Sequence, residues 1–414
     1  MFHISRIKTA FTITLVLISL GSASIYIALA GAGAQIGAAP SSGMADTQGN
    51  TYLYLPIITR PFVSIGDDPD FNGDGFADLA IGAPGEELGG SRGAGAANVL
   101  YGSWSVLSAT NDQFWYQGLN NVEGSSALGD HFAWAVAVGD FNSDGYDDLA
   151  LGVPDENNRG TTEASGAVNV LYGQSSGISD TNDELWNQNT EGIQDGAEER
   201  DFYGKALAAG DFDGDGIDDL AVGVPEEDID SKANAGAVNV IYGTSGGLDG
   251  AGDQLWTQTN TGDATSGTQD MFGSSVAVGD FDGDGFDDLA IGVPFKEVWT
   301  DPNTLITEAG AVHVLYGSSS SLTGNNSDYW HQAITNTLDT PETSDRYGSA
   351  LTVGDFNADG YDDLAVGIPL EDIGGVLDAG AVHVLYGSAS GLAVTSDQLW
   401  YQGLLANASD DTDD

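Results

Sequence analysis

Asp280-Phe281-Asp282-Gly283-Asp284-Gly285-Phe286-Asp287-Asp288 is one of five copies of a nine-residue acidic loop in this chain. The copies share the pattern Asp-x-[Asn/Asp]-x-Asp-Gly-x-x-Asp, and their starts lie 69 to 75 residues apart. Oxygen ligands at positions 1, 3, 5 and 9 and the carbonyl of position 7 can converge on one hard cation, while the Gly at position 6 permits a sharp turn. The pattern therefore predicts a repeat in which each copy holds Ca²⁺.

We expect about five Ca²⁺ ions, one per repeat. An ordinary Asp-Gly hairpin turn is the alternative, but such a turn needs neither the acid at position 1 nor the acid at position 9. The predicted ligands are Asp70, Asn72, Asp74, Phe76, Asp78, Asp140, Asn142, Asp144, Tyr146, Asp148, Asp211, Asp213, Asp215, Ile217, Asp219, Asp280, Asp282, Asp284, Phe286, Asp288, Asp355, Asn357, Asp359, Tyr361 and Asp363.

The residues around the loops indicate β-strands. An EF-hand would carry a bidentate Glu at position 12 between two helices, but position 12 is apolar in every copy, as at Ile291. The flanking segments 275–279 and 288–294 are short, rich in Val and Ile, and end at Gly or Pro. Each loop is therefore predicted to connect the two strands of a hairpin.

The full repeat contains four predicted strands in about 70 residues. An aromatic residue opens each unit, eight positions before its loop, and the second strand ends at a Pro. An acidic stretch follows, then a strand ending in Tyr-Gly, then a segment with Trp and Gln two residues apart. Four-stranded sheets repeated at a fixed period are typical of β-propeller blades, whose radial arrangement protects the sheet edges.

The Phe-Gly opening, the calcium loop and the Gly-x-Pro after it, as at Gly292-Val293-Pro294, resemble FG-GAP repeats. These form the blades of the integrin α-subunit propeller and of many secreted bacterial proteins, and the resemblance covers roughly residues 62 to 402. It implies an all-β protein, a β-propeller of about five four-stranded blades, each with a calcium-binding hairpin loop and used for extracellular adhesion. The integrin propeller has seven blades and works with a partner subunit, whereas this chain supplies five units.

The predicted organisation starts with a signal peptide, or an N-terminal membrane anchor, at residues 1–30. A linker follows at 31–61, with a possible ring-closing strand at 51–59. The repeats occupy 62–407, in units of about 62–131, 132–202, 203–271, 272–346 and 347–407, and 408–414 form an acidic tail. Apart from that anchor, no other segment resembles a membrane span.

The charge of the chain limits its partners. Its formal net charge is −53, with only ten Lys and Arg residues and no Cys. Such acidity argues against nucleic acid and anionic membranes as partners. The chain is expected to be secreted or at the cell surface, and to rely on its core and its metals because it has no disulfides.

No catalytic constellation is recognisable, so we expect no enzyme. His313 and His383 share a repeat position with Asn98, Asn169 and Asn239, which favours a recurring polar strand site. The repeat Trp residues favour a structural outer strand over a sugar platform, and Trp299, in the insertion of the fourth unit, is the better ligand candidate. The Asp residues at loop position 8 and the acidic stretches after each Pro are interpreted mainly as solvent-facing.

Three functions stay open. The leading hypothesis is a calcium-binding propeller that serves as a non-catalytic adhesion or recognition module for an extracellular protein or glycan. The first alternative is an extracellular polysaccharide lyase or hydrolase on a calcium-stabilised propeller, since two carboxylates suffice for sugar hydrolysis. The second alternative is a structural matrix protein. The fold alone cannot choose among them.

Overall fold

The computed structural model describes residues 68–104, 106–157, 164–261, 266–334 and 340–404. The predicted signal peptide or anchor, the linker with its strand at 51–59, the first residues of unit one and the acidic tail lie outside this part of the chain. Among the described residues, no helix has the length and apolar character needed to cross a bilayer. The regular structure there is β-strand, apart from one short 3₁₀ helix, Gln402–Leu404.

The strands form five consecutive antiparallel sheets, which we call blades 1 to 5. Blade 1 holds three described strands: β1 (Leu79–Ala83), β2 (Ala96–Tyr101) and β3 (Ser108–Trp115). Blade 2 holds β4 (Val136–Gly139), β5 (Asp148–Val153), β6 (Ala167–Tyr172) and β7 (Ser179–Trp186). Blade 3 holds β8 (Ala206–Gly210), β9 (Asp219–Val224), β10 (Ala237–Thr244) and β11 (Gly247–Trp256).

Blade 4 holds β12 (Ser275–Gly279), β13 (Asp288–Val293), β16 (Ala311–Tyr316) and β17 (Thr323–Trp330). Its insertion forms a separate hairpin of β14 (Val298–Asp301) and β15 (Thr304–Ile306). Blade 5 holds β18 (Ala350–Gly354), β19 (Asp363–Ile368), β20 (Ala381–Tyr386) and β21 (Ala393–Trp400). The structure thus confirms, for blades 2 to 5, the prediction of four-stranded blades in which an acidic hairpin loop connects the first two strands.

The aromatic residue that opens each unit ties its blade to the preceding one. Tyr203 is buried, and its amide donates to the carbonyl of Ser165 at 3.1 Å, beside Gly166. Gly166 has a φ of +83°, and a Cβ there would lie 2.3 Å from the backbone nitrogen of Tyr203. Because no side chain fits at this approach, the Gly before the third strand is required. Phe132, Phe272 and Tyr347 make the same backbone contact.

The hydrophobic core is divided among the blade interfaces. Four clusters of buried residues each combine two consecutive blades, from blades 1 and 2 through blades 4 and 5. The second and third strands of each blade supply most of these side chains, and β13 is buried along its whole length. The first strands of consecutive blades lie next to each other, with β8 between β4 and β12. This is the radial stacking expected of a β-propeller.

Candidate functional site

The acidic loops fold back on their own first carboxylate. In the fourth loop, Asp280 accepts hydrogen bonds from the amides of Asp284 and Gly285 through its two oxygens, at 3.1 and 3.0 Å. Gly285 adopts a φ of +89°, which explains the invariant Gly at position 6. The amides of positions 5 and 6 bond the first Asp in all five loops. The position-1 carboxylates are therefore held in place by the backbone.

The last carboxylate of each loop anchors it to the blade. Asp288 is fully buried, and its oxygens accept the amides of Phe281 and Gly317, both at 2.9 Å. Gly317 belongs to the Tyr-Gly that ends the third strand, so one carboxylate joins the loop to β16. The other four loops repeat both bonds through Asp78, Asp148, Asp219 and Asp363.

Three carboxylates converge in the loops of blades 3 and 4, where position 3 is Asp and not Asn. Oxygens of positions 1, 3 and 9 lie within 4.8 Å of one another in both loops, in the groups Asp211, Asp213, Asp219 and Asp280, Asp282, Asp288. Oxygens around an ion at 2.3–2.6 Å have such separations, so these residues fit Ca²⁺. The carboxylates of position 5 accept the amide of position 7 instead, as Asp284 does from Phe286. The coordinating roles of positions 5 and 7 stay predictions.

Burial makes the metal-free loops electrostatically costly. Burial, with a smaller contribution from the nearby carboxylates of the same loops, raises the pKa of Asp148, Asp219 and Asp288 to about 8. The pKa of Asp78 is raised to about 6 by the same causes. A divalent cation inverts this situation because it stabilises the ionised carboxylates. The donor set and its charge therefore both suit a hard cation.

The Asp residues at position 8 were expected to face mainly solvent, but in the structure they contact the preceding loop. Asp287 accepts the amide of Asp211 in the preceding blade at 2.9 Å, and its own amide donates to the carbonyl of Asp211 at 3.0 Å. Asp147, Asp218 and Asp362 bond the preceding loop in the same way. The physical reason is that neighbouring loops lie side by side, so position 8 joins consecutive acidic loops. In the first loop this position is Ala77.

The repeat Trp residues pack between blades, as the structural interpretation predicts, in blades that are followed by another described blade. Trp115, Trp186 and Trp256 are buried in the interface clusters, whereas Trp400, in blade 5, is exposed. Trp299 lies on the β14–β15 hairpin and is largely exposed, as a ligand candidate must be.

The two His residues of the repeat position lie on strands, as predicted, and the structure shows that both are buried. His313 is bonded to Thr261 at 2.9 Å, and His383 is bonded to Tyr347 at 3.0 Å and Asp397 at 2.9 Å. Burial lowers the pKa of His383, which keeps its imidazole neutral. His131, by contrast, is half exposed and paired with Asp155 at 2.7 Å.

A second set of buried acids lies at the opposite end of the strands from the loops, and the sequence did not predict it. The acidic stretches after Pro were interpreted as mostly solvated, but Glu227 and Glu371 are buried. Each lies against the repeat Gln of the preceding blade, Gln188 or Gln332, which donates to it. These residues come from segments far apart in the chain, so no local pattern joined them. The recurring spacing of Gln after Trp and of Glu after Pro was the available signal.

Comparison with known proteins agrees with this architecture. The FG-GAP repeat family matches residues 69–100, 132–171, 203–241, 272–315 and 347–385. Integrin alpha-5 of Xenopus laevis is 31% identical over 235 residues, covering 56% of this chain and 19% of the integrin. Integrin alpha-8 of Homo sapiens is 32% identical over 210 residues, covering 50% of this chain and 17% of the integrin.

Enzymes also have similar regions. The phosphatidylinositol-glycan-specific phospholipase D of Bos taurus is 33% identical over 162 residues, covering 39% of this chain and 18% of the phospholipase. A rhamnogalacturonan lyase structure from Bacillus licheniformis aligns over 82% of this chain and 70% of the lyase, with 13% identity and a TM-score of 0.35. That similarity is too low to carry an argument. The chain spans less than a fifth of the length of these sequence relatives.

Five repeats matched by one family, and five blades whose loops and openings follow its pattern, lead to one conclusion. The chain is an FG-GAP repeat protein with an all-β fold of propeller blades, and it resembles the integrin α subunits.

Proposed function

We propose that this chain is a secreted or cell-surface, calcium-stabilised propeller that serves as a non-catalytic recognition module for an extracellular protein or glycan. The observation that carries the proposal is the convergence of three carboxylates in each of two loops whose buried Asp, Asp219 or Asp288, has a raised pKa. Ca²⁺ bound to these loops would hold each first hairpin in its blade. The integrin relatives favour recognition as the use of such a scaffold.

Calcium titration of the EDTA-stripped full chain tests the metal part of this proposal. We expect about five loop sites by calorimetry and a higher melting temperature in Ca²⁺, because a ligand that binds only the native state stabilises it. The matched variant is Asp282→Asn, which removes one charge but keeps a side-chain oxygen, as Asn72 does in the first loop. Unchanged melting with and without Ca²⁺ would reduce the loops to acidic turns.

The β14–β15 hairpin is the proposed recognition element. Trp299 is exposed at 57%, and it lies on an extra hairpin that the other blades lack among the described residues. Exposed aromatic side chains on a rigid scaffold are typical of binding sites. We expect Trp299→Ala to abolish binding to a positive probe in a panel of glycans and matrix proteins. Trp104→Ala, at another exposed Trp, is the matched control and should bind normally.

The enzymatic alternative has one specific test. The half-exposed pair of His131 and Asp155 could supply acid or base chemistry, and the half-buried Lys205 lies nearby, 3.6 Å above the ring of Trp134. Turnover of a polysaccharide that is lost in His131→Ala would favour the lyase or hydrolase. Binding without turnover would favour the recognition module. If the chain shows no binding and no turnover, the structural matrix protein is favoured.

A further inference from the structure

The junctions between blades repeat one buried arrangement. Each combines the Gln that follows the repeat Trp of one blade, an Asp two residues before the aromatic opening of the next blade, and the second residue after that blade's Pro. Between blades 2 and 3 these are Gln188, Asp201 and Glu227, and all three are buried. They follow β7, precede β8 and follow β9. The junction therefore lies at the opposite end of β9 from the calcium loop.

The junction between blades 3 and 4 shows what the arrangement holds. There the second residue after Pro is Lys296. Its Nζ donates to Gln258 Oε1 at 2.6 Å and to Asp270 Oδ2 at 3.2 Å. This buried ammonium group forms an ion pair with Asp270 and gives the Gln carbonyl a donor. The junction thus contains its own cation.

The junction between blades 2 and 3 has the same frame with the opposite charge. Asp201 and Asp270 each accept the amide of the residue three positions earlier, and residues 227 and 296 make the same backbone bonds to their blades. Where blade 4 has Lys296, blade 3 has Glu227. Three positions before its Asp, the junction of blades 2 and 3 has Glu198, whereas the junction of blades 3 and 4 has Gly267. Three carboxylates therefore occupy the place of one carboxylate and one ammonium group.

Two further observations indicate a ligand at this place. Oxygens of Glu198, Asp201 and Glu227 lie within 4.8 Å of one another, as oxygens around one Ca²⁺ can. Gln188 is 2% exposed, its Nε2 donates to Glu227, and its Oε1 has no hydrogen-bond partner among the described residues. A buried amide oxygen without a donor is costly. It matches the oxygen that accepts from Lys296 in the next junction.

We propose that the junction of blades 2 and 3 is a second class of calcium site, formed by Glu198, Asp201, Glu227 and the Oε1 of Gln188. A cleft lined by Glu198, Asp201, Glu226 and Asn234 adjoins it and gives an ion and its waters access from solvent. Calcium takes six to eight oxygen ligands, so waters complete the shell. The junction of blades 4 and 5 has acids at the same three positions, Glu342, Asp345 and Glu371.

The charges around the site support a cation. Burial, followed by the neighbouring acids Asp201 and Asp195, raises the pKa of Glu227 to about 9, and burial raises that of Asp201 to about 7. A shared proton is therefore the competing occupant of the cluster. Burial raises the pKa of the neighbouring Glu226, and the nearby cations Arg200 and Lys205 act on that carboxyl in the opposite direction.

The test converts one junction into the other in the full chain. Glu227→Lys with Glu198→Gly gives the junction of blades 2 and 3 the residues of the next one. We expect this variant to bind one Ca²⁺ fewer than the wild type by equilibrium dialysis with metal analysis, and to melt higher in EDTA. Glu199→Lys, at an exposed neighbour, carries two of the three units of charge that the double variant adds, and should leave the count unchanged.

Glu227→Gln separates a metal from a proton. It keeps the size of the side chain and removes its charge, so a calcium site loses one ion, whereas a protonated Glu227 is replaced with no change in the count. An unchanged count in both Glu227→Gln and the double conversion overturns the proposal. Gly267→Glu with Lys296→Glu runs the conversion in reverse and should add one Ca²⁺; an unchanged count there is equally negative. Each readout is a difference between matched chains, so it does not depend on how many acidic loops are filled.

Discussion

Blades 4 and 5 have nearly the same sequence around their loops, yet they bury it differently. The Phe after the first Asp is 0% exposed at Phe281 in blade 4 and 47% exposed at Phe356 in blade 5. Val312 is buried, whereas its counterpart Val382 is exposed. No described blade follows blade 5, so one side of its sheet stays uncovered. The apolar side chains of one blade are therefore covered by the next blade, as in other repeat proteins whose units contact only their neighbours.

Removal of calcium should produce the largest effect and should separate these two blades. In EDTA the full chain loses the stabilisation of every filled site, which is about 2.7 kcal/mol per site when Ca²⁺ is at 100 times Kd. Because no described blade covers blade 5, we expect its β18 and β19 to lose hydrogen-exchange protection before β12 and β13 of blade 4. Simultaneous loss in both blades would contradict the comparison.

Truncation of the equivalent Phe residues should give the next largest difference. Phe281→Ala removes a fully buried ring and should lower the free energy of unfolding by about 3–5 kcal/mol. Phe356→Ala removes a half-exposed ring and should cost about 1 kcal/mol, since less apolar surface leaves the core. Chemical denaturation of both variants measures the difference. Equal losses would mean that something covers blade 5 in solution.

The contact between loops provides a smaller test. Asp287→Ala removes the acceptor for the amide of Asp211 and should cost about 1–3 kcal/mol, as for other hydrogen bonds to charged groups. The reverse change, Ala77→Asp, supplies the missing acid in blade 1, where no described loop precedes it. We expect it to alter the free energy of unfolding by less than about 0.5 kcal/mol. A gain of stability from Ala77→Asp would show that blade 1 docks against another loop.

The smallest effect should be a pH dependence at His383. Its pKa is lowered in the folded chain by burial, so below the unfolded value of about 6.5 the unfolded chain binds the extra proton. Stability therefore falls as the pH falls through that value. His383→Asn copies blade 3, where Asn239 bonds Asp253 at 3.0 Å. We expect the variant to lose less stability than the wild type between pH 7 and pH 5, measured by melting curves.

Much of this protein follows from short stretches of sequence. The five acidic loops, their flanking strands and the blade period are local, because a nine-residue segment contains both its turn Gly and its carboxylates. The repeat position of His313 and His383 likewise identified a recurring polar strand site from the Asn residues in the other units. The aromatic openings marked where each unit begins. What a segment does with its own neighbours in the chain could be predicted.

Only the tertiary structure decided what the units do to each other. The position-8 Asp residues looked solvent-facing because their partner, the preceding loop, is about 70 residues away in the chain. Glu227 looked like part of a solvated acidic stretch, but folding places it beside Gln188 and Asp201 from two other segments. Burial and charge at these junctions depend on the packing of one blade on the next, and that packing has no signature within a single unit. The sequence of each unit is enough to predict the blades and their loops, whereas the tertiary structure determined which carboxylates are exposed, which are buried, and which join consecutive blades.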